Sequence, residues 1–148
     1  MSAAARTLVD LFQRQADGVP SHPAVSWRSG PATRTLTWSR YRDAVLAVAG
    51  GLLDLGLPAR GIVAILASNR PEHLIADLAA LHCGAATVSL YQTLSDSQLE
   101  HVVSDAAPSV IIVEDASALS RIRELSWTAS HHPRLVAIEP TGDTSVTT

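Results

Sequence analysis

The spacing of apolar positions along the chain changes several times, and each change marks an element. Leu8, Leu11, Phe12 and Gln15 fall on one helical stripe behind Thr7, whose hydroxyl can cap a first helix. Ala24 to Trp27 and Arg34 to Trp38 are short and β-leaning, and Gly30-Pro31 punctuates the link between them, which predicts a hairpin. Ser39 is then expected to cap a second helix, with Tyr41, Ala44, Val45, Val48, Leu52 and Leu55 repeating at three and four and Gly56 stopping it. Gly50-Gly51 lies inside that helix at a cost in propensity, which predicts close packing against a neighbour rather than a phosphate loop. "GIVAILAS" and "SVIIVE" are continuous apolar runs, the pattern of strands buried on both faces. "ATVSLY" and "LVAIE" read as further strands. Three helical stretches fall between them. The first is expected to start at an Asn69–Glu72 capping box with Pro71 in its first turn, to line one face with Leu74, Leu78 and Leu81, and to end at Gly84. The second opens on Ser95 and Gln98 and runs through Leu99, Val102 and Val103. A weaker third spans roughly Ser117 to Trp127.

Strands alternating with helices of this length predict an α/β fold: a mainly parallel sheet with helices on both faces, preceded by an N-terminal helix and a β-hairpin. Residues 1–139 form the main part, and 140–148, "PTGDTSVTT", read as a polar tail without periodicity. The 148 residues are one domain's worth, with no repeat or domain-scale linker.

Composition narrows the partners. With 47% hydrophobic and 17% charged residues, the chain is too apolar for disorder. A net charge of −3 advertises no nucleic-acid partner. One cysteine excludes an internal disulfide and fits a reducing compartment. The opening "MSAAARTLVDLFQRQ" is not a signal peptide, because Asp10, Gln13 and Arg14 interrupt any apolar core. Ala44 to Leu53, the most apolar stretch, is too short to span a membrane, so a cytoplasmic chain without an integral membrane segment is expected. All 11 basic residues are arginine. Any mechanism that needs a lysine is therefore incomplete in this chain.

The candidates for chemistry each meet a simpler alternative. Neither G-x-x-x-x-G-K-[ST] nor G-x-G-x-x-G occurs. The helix start at Asn69, assisted by Arg70, could attract an anion, but plain capping is the preferred reading. Cys83 sits at a helix C-terminus, where the dipole disfavours a thiolate, and is read as a buried, inert thiol. His73 and His82 lie nine apart on different faces of one helix, and His131-His132 lacks ligand spacing, so no metal site is assigned. G-x-S-x-G is absent. Asp54, Asp77, Glu100 and Asp105 are expected on solvated helix faces, and Trp27, Trp38 and Trp127 in the core or an interface. The residues themselves thus specify a parallel α/β domain and nominate no catalytic, cofactor-binding or metal-binding residue.

The order of the segments resembles the N-terminal end of the AMP-forming acyl-CoA synthetases, the adenylate-forming family that includes long-chain fatty-acid–CoA ligases. "LTWSRY", Leu36 to Tyr41, is similar to the family's first core motif, a segment that opens a helix. "GLLDLGLPARGIVAILASNRPEHLIADLAALHCGAATVSLY" follows the next stretch, G-[IL]-x-x-G-D-x-V-A-[IL] leading to N-x-x-E and a helix ending in A-G. "TLSDSQLEHVVSDAAPSVIIVED" matches the part after that, and leans towards the long-chain branch. The resemblance covers Thr7 to Glu139. The chain departs from the pattern at Ser89, where proline is usual, and at Gly61, where aspartate is common.

The resemblance implies an incomplete part of a larger adenylation domain. A complete relative uses ATP, Mg and CoA: a carboxylate attacks the α-phosphorus to give an acyl-adenylate and pyrophosphate, and the thiol of CoA then displaces AMP. The family's phosphate loop, ribose-binding aspartate and catalytic lysine all come after the matched region, and this chain has no lysine to stabilise the developing charge. No cofactor is expected in this chain alone, and inactivity is. The implied partner is the remainder of the synthetase, in cis or as a separate chain, with a homo-oligomer as a further option. A degenerate interaction module and a stand-alone ligand-binding α/β domain are the competing readings. The fragment reading further predicts an exposed apolar patch larger than a monomer normally shows.

Overall fold

The computed structural model describes residues 7–126 and 132–148. Helix α1, Leu8–Gly18, starts at Thr7, whose Oγ1 accepts from the Asp10 N–H while the Asp10 carboxylate accepts from the Thr7 N–H, both at 3.1 Å. The hairpin follows as β1, Pro23–Ser29, and β2, Ala32–Thr37, antiparallel and turning through Gly30 at φ +61°. Strand β2 runs straight into helix α2, Trp38–Asp54. Its cap is therefore Thr37 and not Ser39: the last strand residue is already extended, and its hydroxyl accepts from the Arg40 N–H. Gly56, at φ +84°, stops the helix as expected.

From there strands and helices alternate: β3 Ile62–Leu66, α3 Pro71–His82, β4 Ala86–Ser89, α4 Asp96–Ala106, β5 Val110–Val113, α5 Ala116–Glu124 and β6 Arg134–Ala137. The four strands form one parallel sheet in the order β4-β3-β5-β6. Side chains alternate across it. Val63 and Ile65 of β3 join Val110 and Ile112 of β5 in a core against α1, α2 and α3. Ala64, Leu66, Ile111 and Val113 face the other way, against Leu99 and Val103 of α4 and Leu119 and Ile122 of α5. The expected parallel sheet with helices on both faces is thus observed, behind the expected N-terminal helix and hairpin. Because both faces are covered, β5 is buried at all four positions, which is why its sequence shows no alternation.

Several local expectations are corrected. Helix α3 is capped by Arg70, without a side-chain cap bond, so Asn69 and Glu72 form no capping box. Pro71 at the first position lacks an N–H to cap, and its ring sets the helical φ, so the turn needs less help. Ala76, Leu78, Ala79 and Ala80 carry the buried face of α3, whereas Leu74 is 44% exposed. In α1, Phe12 and Ala16 are buried while Leu8 and Leu11 are exposed. Gly50 and Gly51 meet open space, so the close neighbour expected there is not found among the described residues. Helix α5 ends at Glu124, and Trp127 and His131 lie outside the described residues. Residues 140–148, read as a polar tail, turn back on the sheet: Val146 is buried and Thr147 bridges Val136 in parallel.

The tight corner before β3 explains one departure from the family pattern. The Gly61 N–H donates to the Pro58 carbonyl at 2.9 Å, and a Cβ on residue 61 would lie 2.9 Å from that same oxygen. An aspartate cannot occupy this corner unless the backbone shifts.

Candidate functional site

In open α/β sheets the natural ligand position is the crevice beyond the carboxyl ends of the strands, where the strand order reverses. Here the reversal falls between β3 and β5. Each strand of the parallel sheet delivers at least one polar group to that crevice. Ser68 and Arg70 follow β3, Gln92 follows β4, Glu114 follows β5 and Glu139 follows β6. Glu114 is the hub. Its carboxylate accepts from the Ser68 N–H at 2.6 Å, the Ser68 hydroxyl at 2.9 Å, Gln92 Nε2 at 3.1 Å and Arg70 Nη1 at 3.2 Å. Arg70 also donates from Nη1 to Glu139 at 2.8 Å and from Nε to Glu72 at 2.8 Å.

The electrostatics follow from this saturation. The hydrogen bond from Arg70 holds the Glu72 carboxyl below its ordinary range. Burial alone would raise Glu114, but its bonds from Ser68 and the nearby guanidinium outweigh burial and hold it low as well. Its hydrogen bonds to the Glu72 and Glu139 carboxylates push the Arg70 guanidinium further up. Three carboxylates surround one guanidinium, a formal charge of −2 that repels phosphate. An anion at this helix start would find Arg70 already paired with carboxylates. The residues present therefore do not fit a nucleotide triphosphate or its magnesium, and no group of three His, Cys, Asp or Glu among the described residues converges to hold a metal.

The other sequence candidates are scattered. Cys83 is half-buried, its thiol raised by burial, and its Sγ donates to the Ala49 carbonyl at 3.4 Å. His73 Nε2 lies 3.1 Å from the Ser89 hydroxyl. His82 Nδ1 is 2.7 Å from the Leu78 carbonyl and its Nε2 is 2.9 Å from Gln13 Nε2. Asp77, placed on a solvated face, is instead half-buried and accepts from the Thr87 hydroxyl at 2.5 Å. Trp38 joins the core, its ring 6.0 Å from Phe12, whereas Trp27 is half-buried on the hairpin. Sequence reasoning passed over Glu114. The signal was present: it is the acidic residue directly after the buried run "SVIIV", where the carboxyl-end rule points.

A second feature lies on the helical flank. Helices α1 and α3 form the walls and α2 the floor of an apolar groove of about 460 Å³. Leu8, Leu11 and Leu74 stand on its rims, and Phe12, Trp38 and Tyr41 lie below. Burial, with the Asp77 charge second, pushes the Tyr41 phenol up to about 12. Among the described residues, five of the six large exposed hydrophobic side chains (Leu8, Leu11, Leu46, Leu53 and Leu74) lie on α1, α2 and α3, the helices that cover one face of the sheet.

A family model described as AMP-binding enzyme matches residues 12–146. The chain belongs to the AMP-binding enzyme family. It is 30% identical over 137 residues to the long-chain-fatty-acid–CoA ligase heimdall of Drosophila melanogaster, a match covering 90% of this chain and 20% of that protein. It is 37% identical over 108 residues to an uncharacterized protein of Mycobacterium tuberculosis, covering 73% of this chain and 61% of that one. Among solved structures, the luciferase-like enzyme of the mealworm Zophobas morio superposes with a TM-score of 0.82 at 19% identity, covering 96% of this chain and 33% of that enzyme. This family member therefore spans a fifth to about three-fifths of these relatives, and its fold corresponds to one third of the mealworm enzyme. No helix of the described residues is long and apolar enough to cross a membrane.

Proposed function

We propose that this chain forms the scaffold of the first part of an acyl-CoA synthetase large domain, and that acid activation in the complete assembly is performed by residues outside it. The observation that carries the reading is the match of one family model to residues 12–146 while the chain accounts for only 20% of the Drosophila ligase. Two features of the chain agree. It contains no lysine to stabilise the α-phosphate and the attacking carboxylate. At its switch-point crevice Arg70 is already paired with three glutamates, and that cluster carries the wrong sign for a triphosphate.

On this reading, ATP, magnesium and CoA are handled by the remainder of the synthetase, in the same chain or in a separate one. The contribution of this part is mechanical: β3 and β5 set the sheet, and Glu114 with Arg70 fixes the loops at its carboxyl edge.

An antibody to this region, applied to source cells, gives the first test: a band far above 15.6 kDa shows that the segment is joined to the remainder. Acid-dependent ATP–pyrophosphate exchange gives the second. It should be absent with the 148-residue chain alone and present with the complete polypeptide or complemented pair. Exchange by the isolated chain would sink the reading. The M. tuberculosis relative, of comparable length, favours a second reading, a short chain kept as a non-catalytic module. A band at 15.6 kDa with no exchange in any pairing would select it.

A further inference from the structure

Asn69, His73 and Ser89, each noted in the sequence for a different reason, meet at one end of the seam between α3 and β4. His73 and Asp77 are one turn apart on α3, and Thr87 and Ser89 are two residues apart on β4, so each pair shares one side of its element. The two pairs join in register. The Thr87 hydroxyl donates to Asp77 at 2.5 Å, and His73 Nε2 lies 3.1 Å from Ser89 Oγ. A helix and a strand, rather than a loop, therefore hold the imidazole against the hydroxyl.

Ser89 and His73 line an open cavity of about 370 Å³ beyond the carboxyl ends of β3 and β4, with Ala67, Leu74 and Leu90 among its apolar lining. Asn69 belongs to the same lining. It does not cap α3, and among the described residues its carboxamide makes no hydrogen bond. Ser89 is exposed, so an incoming carbonyl can reach its oxygen. A hydroxyl bonded to an imidazole, beside an uncommitted amide donor, is the arrangement that acyl transfer uses. Proline, usual in the family at this position, has no hydroxyl, so the family pattern does not supply this chemistry.

We propose that Ser89 is a nucleophile toward activated esters of short acyl chains, with His73 as its base and Asn69 as the donor to the oxyanion. With the ring proton on Nδ1, His73 Nε2 accepts from the Ser89 O–H. Ser89 Oγ attacks the carbonyl carbon as Nε2 takes its proton, and the carbonyl oxygen gains the negative charge that the Asn69 N–H stabilises. The bond from carbon to the leaving oxygen then breaks, the imidazolium returns its proton to that oxygen, and acyl-Ser89 remains. Water, deprotonated by the same imidazole, hydrolyses it to the free acid and restores the serine. None of these steps needs ATP, so they are independent of the acid activation assigned to the remainder of the synthetase. Among the described residues no carboxylate bonds His73, so the rate should be modest beside that of a full triad.

The test incubates the 148-residue chain with p-nitrophenyl butyrate, follows nitrophenol release, and maps the adduct left by a fluorophosphonate by peptide mass spectrometry. Circular dichroism confirms that each variant is folded. The expected result is release above that of an equal concentration of free imidazole, with the adduct on Ser89. Ser89→Ala should lose both. His73→Gln should lower the rate by about a hundredfold or to the imidazole background, whichever is reached first. Asn69→Ala should lower it by about tenfold, less than loss of a preorganised oxyanion donor in a closed site. His101→Gln, at an exposed histidine of α4, should leave it unchanged, and Ser89→Cys should still be acylated. Release by folded Ser89→Ala equal to wild type would overturn the proposal, as would an adduct on another residue or no release above imidazole. The adduct map on the wild type decides the matter even if a variant fails to fold.

Discussion

The carboxyl edge of the sheet and the α1–α3 flank are built on opposite plans. At the edge, four strands each send in a polar group, and the groups satisfy one another around Glu114 and Arg70. On the flank, exposed leucines stand over an aromatic floor, with Asp77 among the lining residues. The edge is where a doubly wound sheet usually takes its ligand. In this chain Arg70 and Glu114 there are paired with one another, and most of the exposed large apolar residues lie elsewhere. The difference teaches that sheet topology marks a ligand position only when the polar groups there are left free.

Four measurements would break or sharpen this contrast. The largest effect is expected from Phe12→Ala, which removes the groove floor that packs on Trp38, Tyr41 and His82. It should cost about 3–5 kcal/mol in urea unfolding. Glu114→Ala should cost about 2 kcal/mol, because it strands the Ser68 N–H and loosens Arg70. The edge should also be acid-sensitive. Glu72 and Glu114 are held below their ordinary value of 4.5 in the folded chain. Their contribution is therefore complete above pH 4.5 and is lost as the pH falls through the lower folded values. A denaturation series from pH 6 downward should show that loss in the wild type and a shallower one in Glu114→Gln. The smallest effect belongs to the flank's rim: Leu11→Gln should change stability in urea unfolding by no more than about 0.5 kcal/mol. A large loss of stability there would mean that the rim is core, and the contrast would fail.

The strand order was not legible in the sequence, but the alternation of elements was. Four apolar runs and the Thr7 and Ser95 caps stood out because hydrophobic period and capping chemistry are local. The Asn69 cap was misplaced because proline at the first helical position removed the need for a side-chain cap, which the capping-box pattern does not register. The apolar stripe of α1 was legible, yet its burial was not: period assigns a face, and only the neighbours present decide whether that face is covered. Leu8 and Leu11 line a groove that the other described residues leave open. The glutamate hub was missed for a related reason, since Ser68, Gln92, Glu114 and Glu139 are far apart in sequence and meet only once the strands are ordered.

The bond from Ser68 to Glu114 has a consequence for the molecule's clock. The Ser68 amide lies outside every strand, in a loop that would ordinarily trade its proton with solvent quickly. Tied at 2.6 Å to a carboxylate from another strand, it should exchange on the schedule of the sheet itself. A loop amide as slow as its neighbours in β3, and fast again in Glu114→Ala, would show that the edge opens only when the sheet does.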